Sequence, residues 1–218
     1  MPTCYIAGAG DFTARGFAPG PKDLVLAADG GYRALYSLGY MPDLLLGDFD
    51  SLGDIPLPAD LPVVRFPVRK DDTDTGLALR YGLEQGFRDF ALYGCAGGRV
   101  DHLLANLQSM ARVSRLGASV RLAAPDYDAW ALTGPAAPGA PLAPAAVLTL
   151  PPRPGGTLVS VFCHGDRAEG VTLTGLAYPL SDAVLTGDFP LGVSNRRLDG
   201  QPATVAVRRG TLLIFQSA

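Results

Sequence analysis

Short apolar runs alternate with helix-type patterns from the N-terminus to about Asp128. The apolar runs predict strands at residues 4–7, 24–28, 44–46, 62–66, 90–93 and 119–123. Between several of them, apolar positions recur at helical spacing, and Gly39, Gly86 and Gly117 stand where these helices would end. This alternation predicts an α/β domain with a mostly parallel sheet.

The pattern changes after about Asp128. Residues 134–144 are rich in Gly, Ala and Pro, and no helical period follows them. Short β-type runs occupy residues 146–150, 157–162, 171–174, 204–207 and 211–215. We therefore predict two domains, an α/β domain over residues 1–127 and an all-β domain over residues 128–218, the second a small sandwich or barrel.

Acidic residues follow the ends of several predicted strands. In an open α/β sheet the carboxyl ends of the strands share one edge, and ligands bind in the crevice beyond it. Acids that are far apart in the sequence would therefore converge at that edge. The residues concerned are Asp29, Asp48, Asp50, Asp71, Asp74 and Asp101.

The composition argues against several classes of protein. Of the 218 residues, 48% are apolar and 18% are charged, which is typical of a soluble globular protein. The net charge of −3 gives no electrostatic basis for binding nucleic acid. Three widely spaced cysteines lack metal-ligand spacing, and we expect neither a signal peptide nor a membrane span. These features predict a cytoplasmic protein that binds neither nucleic acid nor membrane.

Gly47-Asp48-Phe49-Asp50-Ser51 follows the third predicted strand. Two carboxylates on one short loop can hold Mg²⁺ directly or through its waters. A surface turn with solvated acids is the alternative. Because the acids of the chain are scattered and no His or Cys ligands accompany them, Mg²⁺ suits them better than Zn²⁺.

Lys70-Asp71-Asp72-Thr73-Asp74 precedes the second predicted helix. Thr73 or Asp74 could simply cap that helix, but a cap explains one residue and not three acids beside a lysine. The ammonium group of Lys70 is a compact positive charge that suits a phosphate.

Gly97-Gly98-Arg99-Val100-Asp101-His102 opens the third predicted helix. The glycines allow a close approach of the backbone, the helix N-terminus attracts anions, and Arg99 can bind phosphate oxygens in bidentate fashion. Asp101 is either a helix cap or a metal-site acid. His102 could be a base, although a histidine in a first helical turn more often packs or forms a hydrogen bond.

Two segments of the second domain carry side chains that suit a heteroaromatic ligand. Ser194 and Asn195 can donate and accept hydrogen bonds, and Tyr178 can stack on a ring. The alternative is an ordinary β-turn at residues 192–195 and a core tyrosine at position 178. The pattern alone favours that alternative.

Taken together, these segments resemble the thiamine pyrophosphokinase family. The resemblance rests on residues 28–31, 42–43 with 47–51, 70–74, 97–106, 175–180 and 194–195, in the order of the family. It implies an N-terminal Rossmann-like α/β domain that binds ATP, a C-terminal β-sandwich that binds thiamine, and a homodimer with active sites between subunits. The implied reaction is that of a Mg²⁺-dependent thiamine diphosphokinase, which transfers a pyrophosphoryl group from ATP to the thiamine hydroxyl and releases AMP.

The resemblance also implies roles for individual residues. The Mg²⁺–ATP site would contain Asp48, Asp50, Asp71, Asp74 and Asp101, and all of these except Asp50 would take part in catalysis. ATP would also contact Asp29, Lys70, Thr73, Arg99 and His102. Tyr178, Ser194 and Asn195 would frame thiamine, from the partner subunit.

Three other functions remain open at this point. The same reaction on another hydroxymethyl heterocycle, such as a pterin, would use a similar acidic site. A phosphatase of the haloacid-dehalogenase type would use Asp48 as its nucleophile, but it would leave the other acids unexplained. A non-catalytic nucleotide sensor would bind ATP without forming AMP.

An aspartate beside the acceptor hydroxyl can take its proton as the new bond to phosphorus forms, and we expect Asp71 or Asp74 to do so. We predict that Asp71→Asn and Asp74→Asn each abolish turnover while the protein stays folded. AMP release measures turnover, and circular dichroism checks the fold. Near-normal AMP production by both variants would contradict the assignment.

Overall fold

A computed structural model describes residues 1–47, 55–65, 72–141 and 144–218. Four predicted site residues, Asp48, Asp50, Lys70 and Asp71, lie outside the described residues. The described chain forms two compact units. One comprises Met1–Ser109 with Ala118–Pro125, and the other comprises Met110–Gly117 with Asp126–Ala218.

The first unit alternates strands and helices. Its strands are β1 (Cys4–Ala7), β2 (Leu24–Ala28), β3 (Leu44–Gly47), β4 (Val63–Arg65), β5 (Asp89–Tyr93) and β6 (Ser119–Ala123). Its helices are α1 (Gly31–Ser37), α2 (Asp74–Glu84) and α3 (Val100–Arg115), the last of which extends into the second unit. The prediction of a mixed α/β chain is confirmed. No helix in the described ranges is long and apolar enough to cross a membrane.

The strands of the first unit pair in parallel in the order β4-β3-β2-β1-β5-β6. At the centre, Ile6 of β1 lies between Leu26 of β2 and Leu92 of β5. Strands β2 to β4 extend the sheet on one side of β1, whereas β5 and β6 extend it on the other. The direction of winding therefore reverses between β1 and β5, which is where open α/β sheets bind ligands.

The core explains why these strands are continuously apolar in sequence. Ile6, Leu26 and Leu92 are all fully buried, because helices and loops cover a parallel sheet on both faces. On one face, Tyr32 and Leu35 of α1 pack into the same cluster as residues of β1, β2 and β3. Burial of each large apolar side chain contributes about 1.5–3 kcal/mol.

Glycine backbone continues the pairing of β1 and β5 beyond both strands. The amide of Gly8 donates to Tyr93 O at 2.8 Å, and that of Gly10 donates to Gly94 O at 2.6 Å. A Cβ on Gly10 would lie 2.2 Å from Ala96 O, so no larger residue fits there. The two loops are thereby locked together at the point where the winding reverses.

The second unit consists of antiparallel strands. They are β7 (Tyr127–Thr133), β8 (Ala146–Thr149), β9 (Leu158–Thr174), β10 (Leu180–Thr186), β11 (Gly192–Arg196), β12 (Thr204–Val207) and β13 (Arg209–Ser217). The long strand β9 pairs with β13 and β11 along its first half, and with β10 and β12 along its second half. The buried core cluster of the second unit includes Trp130, Val161 and Leu212.

Two details of the predicted strands are wrong. The predicted strands at 157–162 and 171–174 are parts of the single strand β9 (Leu158–Thr174), because the polar stretch between them also pairs, in part with β10. Strands β7, β10 and β11 were not predicted. Their polar positions, such as the buried Asp128, hide the alternation that identifies a strand.

The Gly/Ala/Pro-rich stretch of residues 134–144 is anchored by Arg209 of β13. Its guanidinium donates to Ala137 O at 3.2 Å and to Ala140 O, and it pairs with Glu169 at 2.5 Å. The described part of the stretch is therefore a loop of the second unit that Arg209 holds in place by hydrogen bonds.

We predict that Gly31→Ala destabilises the first unit. The new Cβ would lie 1.9 Å from Ala7 O, so α1 must shift away from the end of β1. We expect a loss of about 1–3 kcal/mol in the free energy of unfolding, measured by urea denaturation. Gly20→Ala is the control, because its Cβ would meet only Asp23 Oδ2 at an ordinary 3.6 Å. Equal stability of the two variants would show that the packing argument is wrong.

Candidate functional site

A cavity of about 290 Å³ opens beyond the ends of β1, β2 and β5 in the first unit. Its floor is the pair of glycine loops that follow β1 and β5. Five sequence-predicted residues line it, namely Asp29, Thr73, Asp74, Arg99 and His102. Residues separated by more than seventy positions in sequence therefore share one cavity because the strand ends share one edge of the sheet.

Asp29 occupies a left-handed backbone conformation at the end of β2, with φ of 47°. Its N–H donates to Leu46 O at 2.8 Å, and its carbonyl accepts from Tyr32 N at 3.2 Å. Aspartate tolerates this conformation better than most residues, yet the strain still costs on the order of 1 kcal/mol. The neighbouring strand and helix hold Asp29 in place at the cavity wall.

Thr73 caps helix α2. Its hydroxyl accepts a hydrogen bond from Gly76 N at 3.0 Å, and Asp72 Oδ1 accepts from Thr73 N at 2.9 Å. The capping interpretation of Thr73 is therefore confirmed. Asp74 is the first helical residue, where a negative charge meets the positive end of the helix dipole. Thr73, Asp74 and Thr75 all line the cavity, so the start of α2 forms one wall.

Arg99 and Asp101 form a bidentate pair at the start of α3. Arg99 Nε donates to Asp101 Oδ1 at 3.1 Å, and Nη2 donates to Oδ2 at 2.5 Å. This hydrogen bonding is the main cause that lowers the pKa of Asp101 and raises that of Arg99. Asp101 is the second residue of α3, so the interpretation of Asp101 as its N-cap is wrong.

Arg99 and Asp101 differ in their relation to the cavity. The lining includes Arg99 and His102 but not Asp101, whose side chain is 64% exposed. The structure thus brings Arg99 to the cavity and keeps Asp101 beside it, where its carboxylate orients the guanidinium.

Thr75, Cys95 and Asn106 also line the cavity, although the sequence pattern predicts no role for them. The buried Asn106 donates from Nδ2 to Cys95 O at 2.8 Å, which ties α3 to the glycine turn after β5. Its position four residues after His102 on α3 was a signal for a shared face. Burial raises the pKa of the Cys95 thiol to about 12, so this thiol is protonated and unreactive near neutral pH.

A magnesium site is compatible with the carboxylates at this cavity. Asp29 and Asp74 are described carboxylates that line it, and Mg²⁺ prefers such hard oxygen ligands together with those of substrate phosphates. Within the described ranges, no three His, Cys, Asp or Glu side chains form a ready metal cluster. The predicted ligands Asp48, Asp50 and Asp71 lie outside those ranges.

The side chain of Asn195 forms hydrogen bonds with the backbone of Tyr178 in the second unit. Tyr178 N donates to Asn195 Oδ1 at 3.0 Å, and Asn195 Nδ2 donates to Tyr178 O at 2.7 Å. Tyr178 is 70% exposed, so its interpretation as a core tyrosine is wrong. The interpretation of residues 192–195 as an ordinary β-turn is also wrong, because they belong to strand β11. Ser194 is exposed and has a left-handed backbone, with φ of 59°.

Two family models match the chain. The model described as thiamin pyrophosphokinase, catalytic domain, matches residues 20–122. The model described as thiamin pyrophosphokinase, vitamin B1 binding domain, matches residues 146–212. Between them, the two models span most of both compact units.

Related proteins agree with these matches. Thiamine pyrophosphokinase of Bacillus subtilis (strain 168) is 24% identical over 217 residues, covering 92% of this chain and 96% of that protein. A crystal structure of the B. subtilis enzyme has a TM-score of 0.81 at 24% identity, with 99% of each chain covered. The thiamin pyrophosphokinase structure from Geobacillus thermodenitrificans has a TM-score of 0.78 at 23% identity, covering 99% of this chain and 97% of that one.

The structural likeness is at low identity and establishes a common fold. The two family models add evidence from the sequence itself. The catalytic domain of thiamin pyrophosphokinase matches the first part of the chain, and the vitamin B1 binding domain matches the second part. The chain belongs to the thiamin pyrophosphokinase family.

Proposed function

We propose that this chain is a thiamine diphosphokinase, which transfers the pyrophosphoryl group of ATP to the hydroxyl of thiamine and releases AMP. One observation carries the proposal. In this member of the family, carboxylates, an arginine and glycine backbone line one cavity of the first unit, where the winding of the sheet reverses. Such a combination suits a nucleotide polyphosphate with its metal.

The first unit would be a Rossmann-like domain that binds ATP. Backbone amides of the glycine turn after β5 and of the start of α3 offer donors to phosphate oxygens. Arg99 adds a bidentate donor that Asp101 already orients. Thr73, Asp29 and His102 line the remaining walls, and Lys70 would add a second positive charge.

Mg²⁺ would be held by Asp74 together with Asp48, Asp50 and Asp71. Asp101, the fifth predicted ligand, is not among the residues that line the cavity, and its proposed role is therefore to orient Arg99. Bound there, Mg²⁺ would neutralise charge on the phosphate oxygens. The capped N-terminus of α2 supports this role for Asp74, because the cap fixes the position of its backbone.

The chemical step needs little covalent work from the protein. The alcohol oxygen of thiamine attacks the β-phosphorus of ATP. The bond between the β-phosphorus and the oxygen that bridges it to the α-phosphorus breaks, and that oxygen leaves with AMP. Positioning and charge neutralisation supply most of the rate enhancement in reactions of this type. Asp71 or Asp74 would take the hydroxyl proton as the new bond forms.

The second unit would be a β-sandwich that binds thiamine. The match to a vitamin B1 binding domain supports thiamine over a pterin as the acceptor. The exposed Tyr178 suits a flat heterocycle, and its backbone is hydrogen-bonded by Asn195 of β11, which follows Ser194 on that strand. A reaction that consumes ATP also supports a cytoplasmic location.

We propose that the working form is a homodimer, with thiamine framed by residues of the partner subunit. Several large apolar side chains of the second unit are exposed, including Phe189 at 63% and Leu191 at 50%. Exposed apolar side chains on neighbouring segments are a common mark of an interface. Light scattering should give twice the chain mass at micromolar concentration. A monomer that is fully active would contradict the dimer.

The reaction itself is tested by incubating the protein with ATP, Mg²⁺ and thiamine. We expect AMP and thiamine diphosphate in equal amounts, measured by chromatography. A hydroxymethyl pterin in place of thiamine should give background AMP, and EDTA should stop the reaction. AMP formed with the pterin but not with thiamine would overturn the proposed acceptor, and ATP binding without AMP would indicate a sensor.

The role of Arg99 is tested by Arg99→Met. Loss of a charge-assisted hydrogen bond to phosphate should raise the Kd of ATP at least about tenfold, measured by calorimetry. Arg80→Met is the control, because Arg80 is also exposed and pairs only loosely with Glu84 at 4.0 Å on α2. Equal ATP affinity of the two variants would remove Arg99 from the site.

A further inference from the structure

Strand β11 contains one extra residue relative to its partner β9. Gly192 pairs with Val161 and Asn195 pairs with Val159, so a step of three residues on β11 faces a step of two on β9. Ser194, with φ of 59°, lies in this bulge, and its N–H donates to Ser160 Oγ at 3.0 Å. The bulge is therefore a fixed feature of the strand.

The bulge decides which way Asn195 points. In a regular strand, residues three apart lie on opposite faces. Here Gly192 and Asn195 are both buried, and Val193 and Ser194 between them are both exposed. The extra residue therefore directs the amide of Asn195 inward, where only 3% of the residue is exposed.

The inward amide holds the segment that carries Tyr178. Asn195 Oδ1 accepts from Tyr178 N, and Nδ2 donates to Tyr178 O, so both backbone groups of one residue are bound. Two backbone bonds brace the same segment, Ala177 N to Arg196 O at 2.8 Å and Leu198 N to Gly175 O at 3.0 Å. Tyr178 thus combines a fixed backbone with a ring that is mostly exposed.

We infer that Asn195 is a positioning residue, which acts on thiamine through Tyr178 and does not contact it. The inference rests on the proposed function, and it revises the expectation that Asn195 frames thiamine directly. A loop whose backbone is fixed before binding loses less conformational freedom when a ligand stacks on its aromatic ring. The electron-rich face of Tyr178 suits the cationic thiazolium or the flat pyrimidine of thiamine.

The test compares Asn195→Asp, Tyr178→Ala and the double variant. Asn195→Asp keeps an acceptor for Tyr178 N but replaces the donor to Tyr178 O by a second acceptor. We expect the KM for thiamine to rise about tenfold or more in each single variant, with the KM for ATP unchanged and kcat within about threefold. In the double variant, the thiamine KM should match that of Tyr178→Ala alone, because the amide acts only through the ring.

A direct contact between Asn195 and thiamine predicts the opposite result. The two substitutions would then multiply in the double variant, and that outcome would overturn the inference. Asp199→Ala is the matched control, because Asp199 also binds loop backbone in the second unit, to Gly155 N at 2.8 Å. This control should lower the Tm without changing the thiamine KM. If it raises the thiamine KM as much as Asn195→Asp does, general loosening of the second unit explains both, and the inference fails.

Hydrogen exchange of the wild-type protein gives a test that needs no variant. The Tyr178 amide should already exchange slowly without thiamine, since Asn195 binds it. Fast exchange that slows only when thiamine is added would contradict a Tyr178 backbone that is fixed in advance. Wild-type protein that forms no AMP from ATP and thiamine would instead refute the proposed function. The two failures are therefore distinguishable.

Discussion

The parallel pairing of β1 with β5 continues through glycine backbone after both strands have ended, and the candidate site depends on this contact. Gly10 N donates to Gly94 O at 2.6 Å, and the close approach leaves no room for a Cβ at Gly10 or Gly94. The contact keeps the two loops in register between β1 and β5, where the direction of winding of the sheet reverses. Both glycine loops line the cavity, and so does Arg99, just before α3.

Charge is arranged around this floor by local structure. The cap of α2 fixes Asp74, the left-handed turn after β2 fixes Asp29, and the carboxylate of Asp101 orients Arg99 from outside the cavity. Each of these residues is positioned by a cap, a turn or an ion pair close in sequence, and Asp29 is also held by its hydrogen bond to Leu46 O of the neighbouring strand. The sheet then brings the separate pieces together.

The second unit uses a different device to present its residues. Strand β9 pairs with four other strands. A bulge on one of them, β11, turns Asn195 inward and leaves Ser194 exposed. A polar side chain is thereby buried to brace a loop, and an aromatic ring is left exposed. Because Tyr178 is mostly exposed, it adds little buried apolar area to the stability of the unit.

The amino-acid sequence by itself determined the alternation of strands and helices in the first unit, because buried parallel strands need continuous apolar runs. It also indicated Asp29, Thr73, Asp74, Arg99 and His102, since turn and cap residues follow strand ends at short range. Only the tertiary structure decided the continuity of β9, the inward direction of Asn195 and the place of Asn106 and Cys95 at the cavity. These features depend on pairing and packing between residues that are far apart in the chain. A local sequence pattern does not identify such partners.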